Sequence, residues 1–492
     1  MPSKRIPLPL AKEYKLERDV TINAERLINM YVQPATETTQ GFSLYPASGF
    51  QNSFLVGAAT IRAQFVFKDT MYVVSGNAIY SVDSLLVPTF LGNITTLNGY
   101  VGIDANETQV IFVDGANAYI WNTLTSVFST VVFGFSPPIA PIDVTMIDNY
   151  FIIPDGNTIK FYVSSLNDGS TWNVLNFALF QSNPDELQAV NTLKRRIYLF
   201  GKYTTEVWYD AGDSDFPLRR DNNSLFEHGI ASPGTVREGF EVMFYLAQNK
   251  DGAAGVMLVA GTDTPRKISS PEVDLYLQGV TNLSDSSAIL YKENGYTFYQ
   301  LSFTTDNRTF VYVLETDKWH ELSLADGSRH PAQSHAFFNN KHYIGVYNAN
   351  KIYELSYKFF TYGGDLIRCQ IINPPLFNNE HTRIRADRYE LEVITGMPSG
   401  TLPNQDIYPQ LNELIVNNQE ATVILYVSRD GGRTFGNGIR AGIGLLGNYR
   451  KRVIWRRLGC MWARRMVLKI EFPYLIPFIV VGSYIICEDL PE

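Results

Sequence analysis

Apolar and polar residues alternate with a period of two along most of the chain, in short runs of Val, Ile, Tyr and Phe punctuated by Gly, Asn and Asp. That period puts successive side chains on opposite faces of a strand, and helical spacing is nearly absent, so the pattern predicts an all-β fold. A loose unit of strand, turn, aromatic-rich strand and turn recurs. One copy runs from Ala63 to Asp83, and others centre near Val110, Tyr150, Ile197, Phe244, Tyr296 and Tyr343. Spacings of roughly 38 to 52 residues are those of four-stranded β-propeller blades. The expectation is about seven blades, with six to eight allowed because closure often borrows a strand from elsewhere. Three copies carry a turn asparagine shortly before a tyrosine, at Asn77 and Tyr80, Asn117 and Tyr119, and Asn350 and Tyr353. Asparagine suits the left-handed turn conformation, and the tyrosine is expected to pack between blades. Unrelated hairpins in a sandwich are the competing reading.

The repeats divide the chain into an N-terminal arm (1–55) joining a terminal β domain, a β-propeller (56–360) and an Arg-rich C-terminal β domain (361–492). With 492 residues, 45% of them hydrophobic, a large core is within reach. The longest apolar stretch, Phe472 to Cys487, is broken by Pro473, Pro477 and Gly482 and falls short of the ~20 residues of a spanning helix, so it reads as buried strands. Cys369, Cys460 and Cys487 form neither a zinc pattern nor a disulfide framework, and Lys4 and Arg5 are followed by no apolar run. Folding in a reducing compartment without a secretory signal is expected.

Charge is unevenly spread. The net charge is −8, yet between residues 421 and 470 the cations Arg429, Arg433, Arg440, Arg450, Lys451, Arg452, Arg456, Arg457, Arg464, Arg465 and Lys469 face Asp430 alone. That segment therefore carries +10 and the remainder −18. In Arg450 to Arg457 the intervening Ile454 and Trp455 look core-facing, or else Val453 and Trp455 lie inward or in a subunit seam, and either arrangement leaves the arginines on the outer side of a strand. An assembly interface at Arg450, Lys451, Arg452, Arg456, Arg457, Arg464 and Arg465 is favoured over tight DNA binding, since the whole chain is acidic.

Motifs for chemistry are weak. Gly442, Gly444 and Gly447 match G-x-G-x-x-G, but the following residues read as a charged strand where a nucleotide site needs a helix. The six histidines make no metal-ligand spacing, and on a single strand His335 and His342 would point to opposite faces. Ser428, Asp430, Gly432, Thr434 and Phe435 fit the Asp-box of sialidases. Ser165, Asn167, Gly169, Thr171 and Trp172 form a second copy with Asn at the Asp position. Such a box is first a hairpin device, with the carboxylate taking turn N–H groups and the aromatic packing beneath. No catalytic, cofactor-binding or metal residue is assigned. A carbohydrate-binding or sialidase-like glycan-active propeller is carried as the alternative function.

Two segments resemble a known family. Asn23 to Val32 (NAERLINMYV) with Leu44 to Gly49, and Leu425 to Gly459 with the following ARRMVLKIEF, are similar to the packaged-DNA stabilization proteins, or tail hub (nozzle) proteins, of short-tailed bacteriophages. Cys460, Met461 and Trp462 and the Ile-rich tail depart from that pattern, which bears on the phage group more than on the role. The resemblance implies a non-enzymatic structural virion protein without cofactor, forming a ring, expected to be a homohexamer, below the portal and tail adaptor or head-completion ring. A needle, plug or tailspike would dock below. Double-stranded DNA would pass through the lumen without tight binding, be retained there and be ejected. The implied location is the virion tail, assembled in the bacterial host cytoplasm.

Overall fold

The computed structural model describes residues 4–38, 40–181, 185–213, 216–376, 383–395, 421–444, 451–462, 465–473 and 478–490. Almost all of them are strand or turn. Seven antiparallel sheets succeed one another along the chain, each beginning with an inner strand: Ile61–Phe67, Gly102–Ala105, Thr145–Ile147, Leu187–Leu193, Arg237–Gly239, Ser287–Glu293 and Ala332–Phe338. They are blades one to seven of a propeller. The last blade takes its outer strand from the arm, because Gly49–Leu55 pairs antiparallel with Lys351–Ser356. The boundary expected at residue 55 therefore moves back to Gly49. Closing the ring with a strand from before blade one ties the first and last blades together, which the order of the sequence alone leaves open.

Inter-blade packing follows the alternation. Tyr72, Val74 and Ile79 of blade one meet Val110, Phe112 and Tyr119 of blade two in one buried cluster, and equivalent clusters recur around the ring. The left-handed position in the first two repeated turns is Gly76 and Gly115, not the asparagine that follows. Asn117 and Asn350 serve instead as donors, to the Thr95 hydroxyl and the Gly57 carbonyl.

The termini build a two-sheet sandwich. One sheet holds Met30–Pro34, Phe42–Pro46, Phe478–Asp489, Arg383–Thr395 and Lys451–Trp462, with Lys4–Pro7 added to Phe478–Asp489. The other holds Ala24–Ile28, Cys369–Ile372, Val467–Phe472, Ala421–Ser428 and Ile439–Gly444. Leu27, Leu44, Tyr389, Leu425, Trp455, Ile470 and Val480 fill the space between them.

This second sheet is continuous with blade six, since Ala24–Ile28 lies parallel to the outer strand Lys318–Leu322 through Ile28 and Glu321. Arg26 grips Glu321 with two N–H donors at 2.6 and 2.9 Å, and Arg308 donates to the same carboxylate. Burial works to raise the Glu321 carboxyl, but the two guanidiniums prevail and hold it below its ordinary value. Beside the clamp, fully buried Asn29 adopts φ 56° and turns the chain from one sandwich sheet into the other. Its amide donates to the carbonyls of Ser323 (2.8 Å) and Arg368 (2.9 Å), and its carbonyl oxygen accepts the Ser323 N–H at 2.9 Å.

Removing one partner of a buried ion pair costs about 3–5 kcal/mol. Arg26→Met should fall at the low end, about 3 kcal/mol, because Arg308 remains. A depressed carboxyl stabilises the fold above its unfolded value, near 4, and loses that contribution as pH falls through the folded value. The difference between wild type and Arg26→Met in chemical denaturation should therefore shrink in acid. A difference independent of pH would show that Glu321 is not the group responsible.

Candidate functional site: the propeller axis and the arginine strand

The inner strands converge on an axial cavity of about 870 Å³, lined from every blade by residues that include Gln64, Asp104, Thr145, Thr192, Arg237, Ser287 and His335. Several of the polar side chains here bond across from one blade to the next. Gln64 accepts from Ser334 and Gly345, the Asp104 carboxylate accepts the Met146 N–H at 2.7 Å, and Arg237 Nε donates to the Ala288 carbonyl at 2.7 Å. Asp143 links three blades, taking the Tyr100 hydroxyl at 3.1 Å and the Val190 N–H at 3.0 Å. Burial pushes the Asp143 carboxyl up to about 7, against the opposing pull of these donors and of Arg237.

The cavity has the volume of a small-molecule pocket. Among the described residues, no group of three or more His, Cys, Asp or Glu is placed to hold a metal. His335 and His342 lie on successive strands joined by a turn at Asn339 and Asn340, so they meet at 3.0 Å instead of pointing apart.

The arginine segment forms the edge strand Lys451–Trp462 of the first sandwich sheet, paired on one side with Arg383–Thr395. Val453 and Trp455 are buried in the sandwich core, where Trp455 stacks on Tyr389 and donates to the Ile439 carbonyl at 2.8 Å. Arg452, Arg456 and Arg457 are exposed on the other side. Arg452 faces Glu390 of its own chain at 3.6 Å, a carboxylate shared with Arg5 and Arg388. Arg456 and Arg457 make no ion pair with a described residue. Lys451 is half-buried, and Arg465 is exposed in the loop before Val467–Phe472. Arg450, Arg464 and Gly447 lie outside the described residues.

Both Asp-box turns are bonded within themselves, in different registers. Asp430 accepts the Thr434 N–H at 2.9 Å, the Thr434 hydroxyl at 2.6 Å and the Ser428 hydroxyl at 2.7 Å, which hold its carboxyl well below the usual range. The Gly432 N–H goes to the Ser428 hydroxyl at 2.8 Å, not to Asp430. Phe435 packs beneath on Ala24, Ile372 and Val467. In the other box the acceptor is Asp168, one position later than Asn167. Asp168 takes the Ser170 N–H and the Thr171 hydroxyl, and these bonds outweigh burial to bring it down to about 2. Asn167 instead takes the left-handed position, φ 59°, that starts this hairpin's turn. Gly169 packs against Phe151, and Trp172 is buried with its ring N–H on the Gly169 carbonyl.

A family model described as the β-propeller of bacteriophage P22 Gp10 matches residues 6–359, and one described as the β-sandwich of the same protein matches residues 371–482. This chain belongs to the bacteriophage P22 Gp10 family. Gp10 is a packaged-DNA stabilization protein, so the chain is a structural component of a phage tail and its family is not one of enzymes. No curated protein matches the chain in sequence. Among solved structures, the computationally designed Ika8 protein is 11% identical, with 71% of this chain and 96% of that one covered and a TM-score of 0.37. The N-terminal domain of Nup159 is 10% identical, with 67% and 98% covered and a TM-score of 0.40. Likeness at that level is silent on function.

The Gp10-type opening NAERLINMYV acquires a physical meaning here. It is strand, sheet-switching corner and strand, with Arg26 and Asn29 among the residues that join sandwich to blade six. Reading the sequence alone did not connect Arg26, Glu321 and Arg308; Arg26 and Glu321 are charges inside the short strands AERLI and KWHEL, and Arg308 opens the strand RTFVYV.

Two measurements follow for this Gp10 homologue. A carboxyl with a raised folded value favours the fold below its unfolded value, near 4, and loses that advantage as pH rises towards 7. Wild type should therefore lose stability relative to Asp143→Asn between about pH 4 and 7, and parallel stability curves would refute the assignment. Asp430→Ala should lower stability by about 1 kcal/mol through orphaned turn donors, read as a shifted denaturation midpoint.

Proposed function

We propose that several copies of this chain, expected to be six, form a ring in the tail of a short-tailed phage, below the portal and adaptor. The ring would enclose the channel through which DNA is retained and later ejected. The observation that supports this reading is that the inner strands are tied together across the blades around a cavity of only about 870 Å³, which favours a passage for duplex DNA between copies over one through a propeller. The net charge of −8 supports passage without capture, because an acidic lumen repels phosphate and avoids the counterion release that would hold DNA in transit. The arginine edge strand is the proposed assembly contact, with an adaptor or head-completion ring above and a needle, plug or tailspike below as neighbours. Assembly in the host cytoplasm is part of the same reading. The glycan alternative drew on the Asp-boxes, whose carboxylates are occupied by their own turns.

The test is Arg456→Glu combined with Arg457→Glu. The variant should keep the β signal in circular dichroism, yet be missing from tails and give capsids that package DNA and leak it. Normal incorporation with intact retention would refute the interface role, and loss of the β signal would mean that these arginines hold the fold.

A further inference from the structure

The outer edges of the blades are treated unequally. Blade six continues into Ala24–Ile28, and its neighbourhood is covered by the arm, where Tyr14 and Leu16 pack in a cluster that also takes in Leu314, the residue at the tip of the turn between its third and outer strands. The residues at that turn in blades one, two and three are Leu85, Leu124 and Leu166, and they are 80%, 74% and 53% exposed. The outer strands beside them also show apolar side chains to solvent, among them Phe90, Val127 and Leu175.

These features share one face. The turn joining the first two strands of a blade lies at the same end as the turn joining its last two, and the Thr123 N–H bonds the Thr108 carbonyl across them at 2.8 Å. Adjacent blades touch there as well, since Lys68 Nζ donates to the Glu107 carbonyl at 2.8 Å. The same turns carry the exposed acids Asp69, Asp83 and Glu107. Within these turns of blades one and two, residues 68–69, 83–87, 106–108 and 123–126, Lys68 is the sole cation against those three acids.

Open strand edges bearing apolar groups are avoided in monomers unless something covers them. A matching surface exists elsewhere on this chain. The edge strand Lys451–Trp462 exposes Arg456 and Arg457 together with Trp462, and Ile439 stands exposed on the neighbouring edge strand. We infer that the acidic, leucine-tipped face of blades one to three receives the arginine edge strand of a second copy of this chain. Two different surfaces of one chain that complement each other make a head-to-tail contact, the kind that closes rings. The inference rests on the ring reading above and names the surface opposite the arginines.

Cys460, an exposed thiol on the arginine strand, supplies a direct probe. The full-length chain carrying Leu124→Cys, oxidised mildly, should give an intermolecular disulfide to Cys460 that disappears in the Leu124→Cys, Cys460→Ser double variant. In parallel, Asp69→Arg with Glu107→Arg should abolish the ring species in mass photometry, and adding Arg456→Glu with Arg457→Glu should restore it. Rings that persist in the Asp69→Arg, Glu107→Arg variant, together with no Cys460 cross-link, would overturn this pairing while leaving the ring intact. Rings that form normally while a different tail protein is lost from virions would overturn it in favour of that protein as occupant. A wild-type chain that never forms rings, even with its tail neighbours, would remove the ring reading and this inference with it.

Discussion

A carboxylate taken out of water survives only if charge and hydrogen bonds replace the solvent, and Glu321 meets that condition through Arg26 and Arg308. Arg26 comes from the arm and Arg308 from blade six, so the pair of contacts that keeps Glu321 ionised also joins sandwich to propeller. Asn29 sits one turn of the backbone away, saturated by Ser323 and Arg368, and redirects the chain between the sandwich sheets. Without that corner the arm could not contribute both to the sandwich and, twenty residues later, to the closure of blade seven.

The consequence is one continuous body whose inner strands are tied across the blades around a small axial cavity. Inner-strand polar groups in other folds often face a ligand, but Gln64, Asp104, Asp143 and Arg237 here bond mainly the neighbouring blade. That suits membership of a family of structural tail proteins, and it shifts attention to two rims of opposite charge: the arginine edge strand and the acidic turns of the first three blades.

The residue-level reading diverged from the structure where one backbone step decides the outcome. In the box at Ser165 the pattern aligned Asn167 with Asp430, but the left-handed turn consumes Asn167 and passes the acceptor role to Asp168. His335 and His342 seem to oppose each other by parity only if one strand holds both, and a two-asparagine turn between them reverses the chain. Arg452 faces Glu390 of its own chain, a partner 62 positions away that spacing along the sequence does not show.

The sequence by itself determined what depends on local periodicity and composition: the all-β class, seven repeated units, the inward Trp455, the outward arginines and the hairpin boxes. Side-chain alternation is a property of neighbouring residues, so it is legible in a linear reading. Tertiary structure alone decided which distant charges meet, which strand closes the ring and which edges stay open. Arg26 and Glu321 lie 295 residues apart. A single buried carboxylate can recruit any two cations that the fold brings to it, and neither spacing nor composition marks which two.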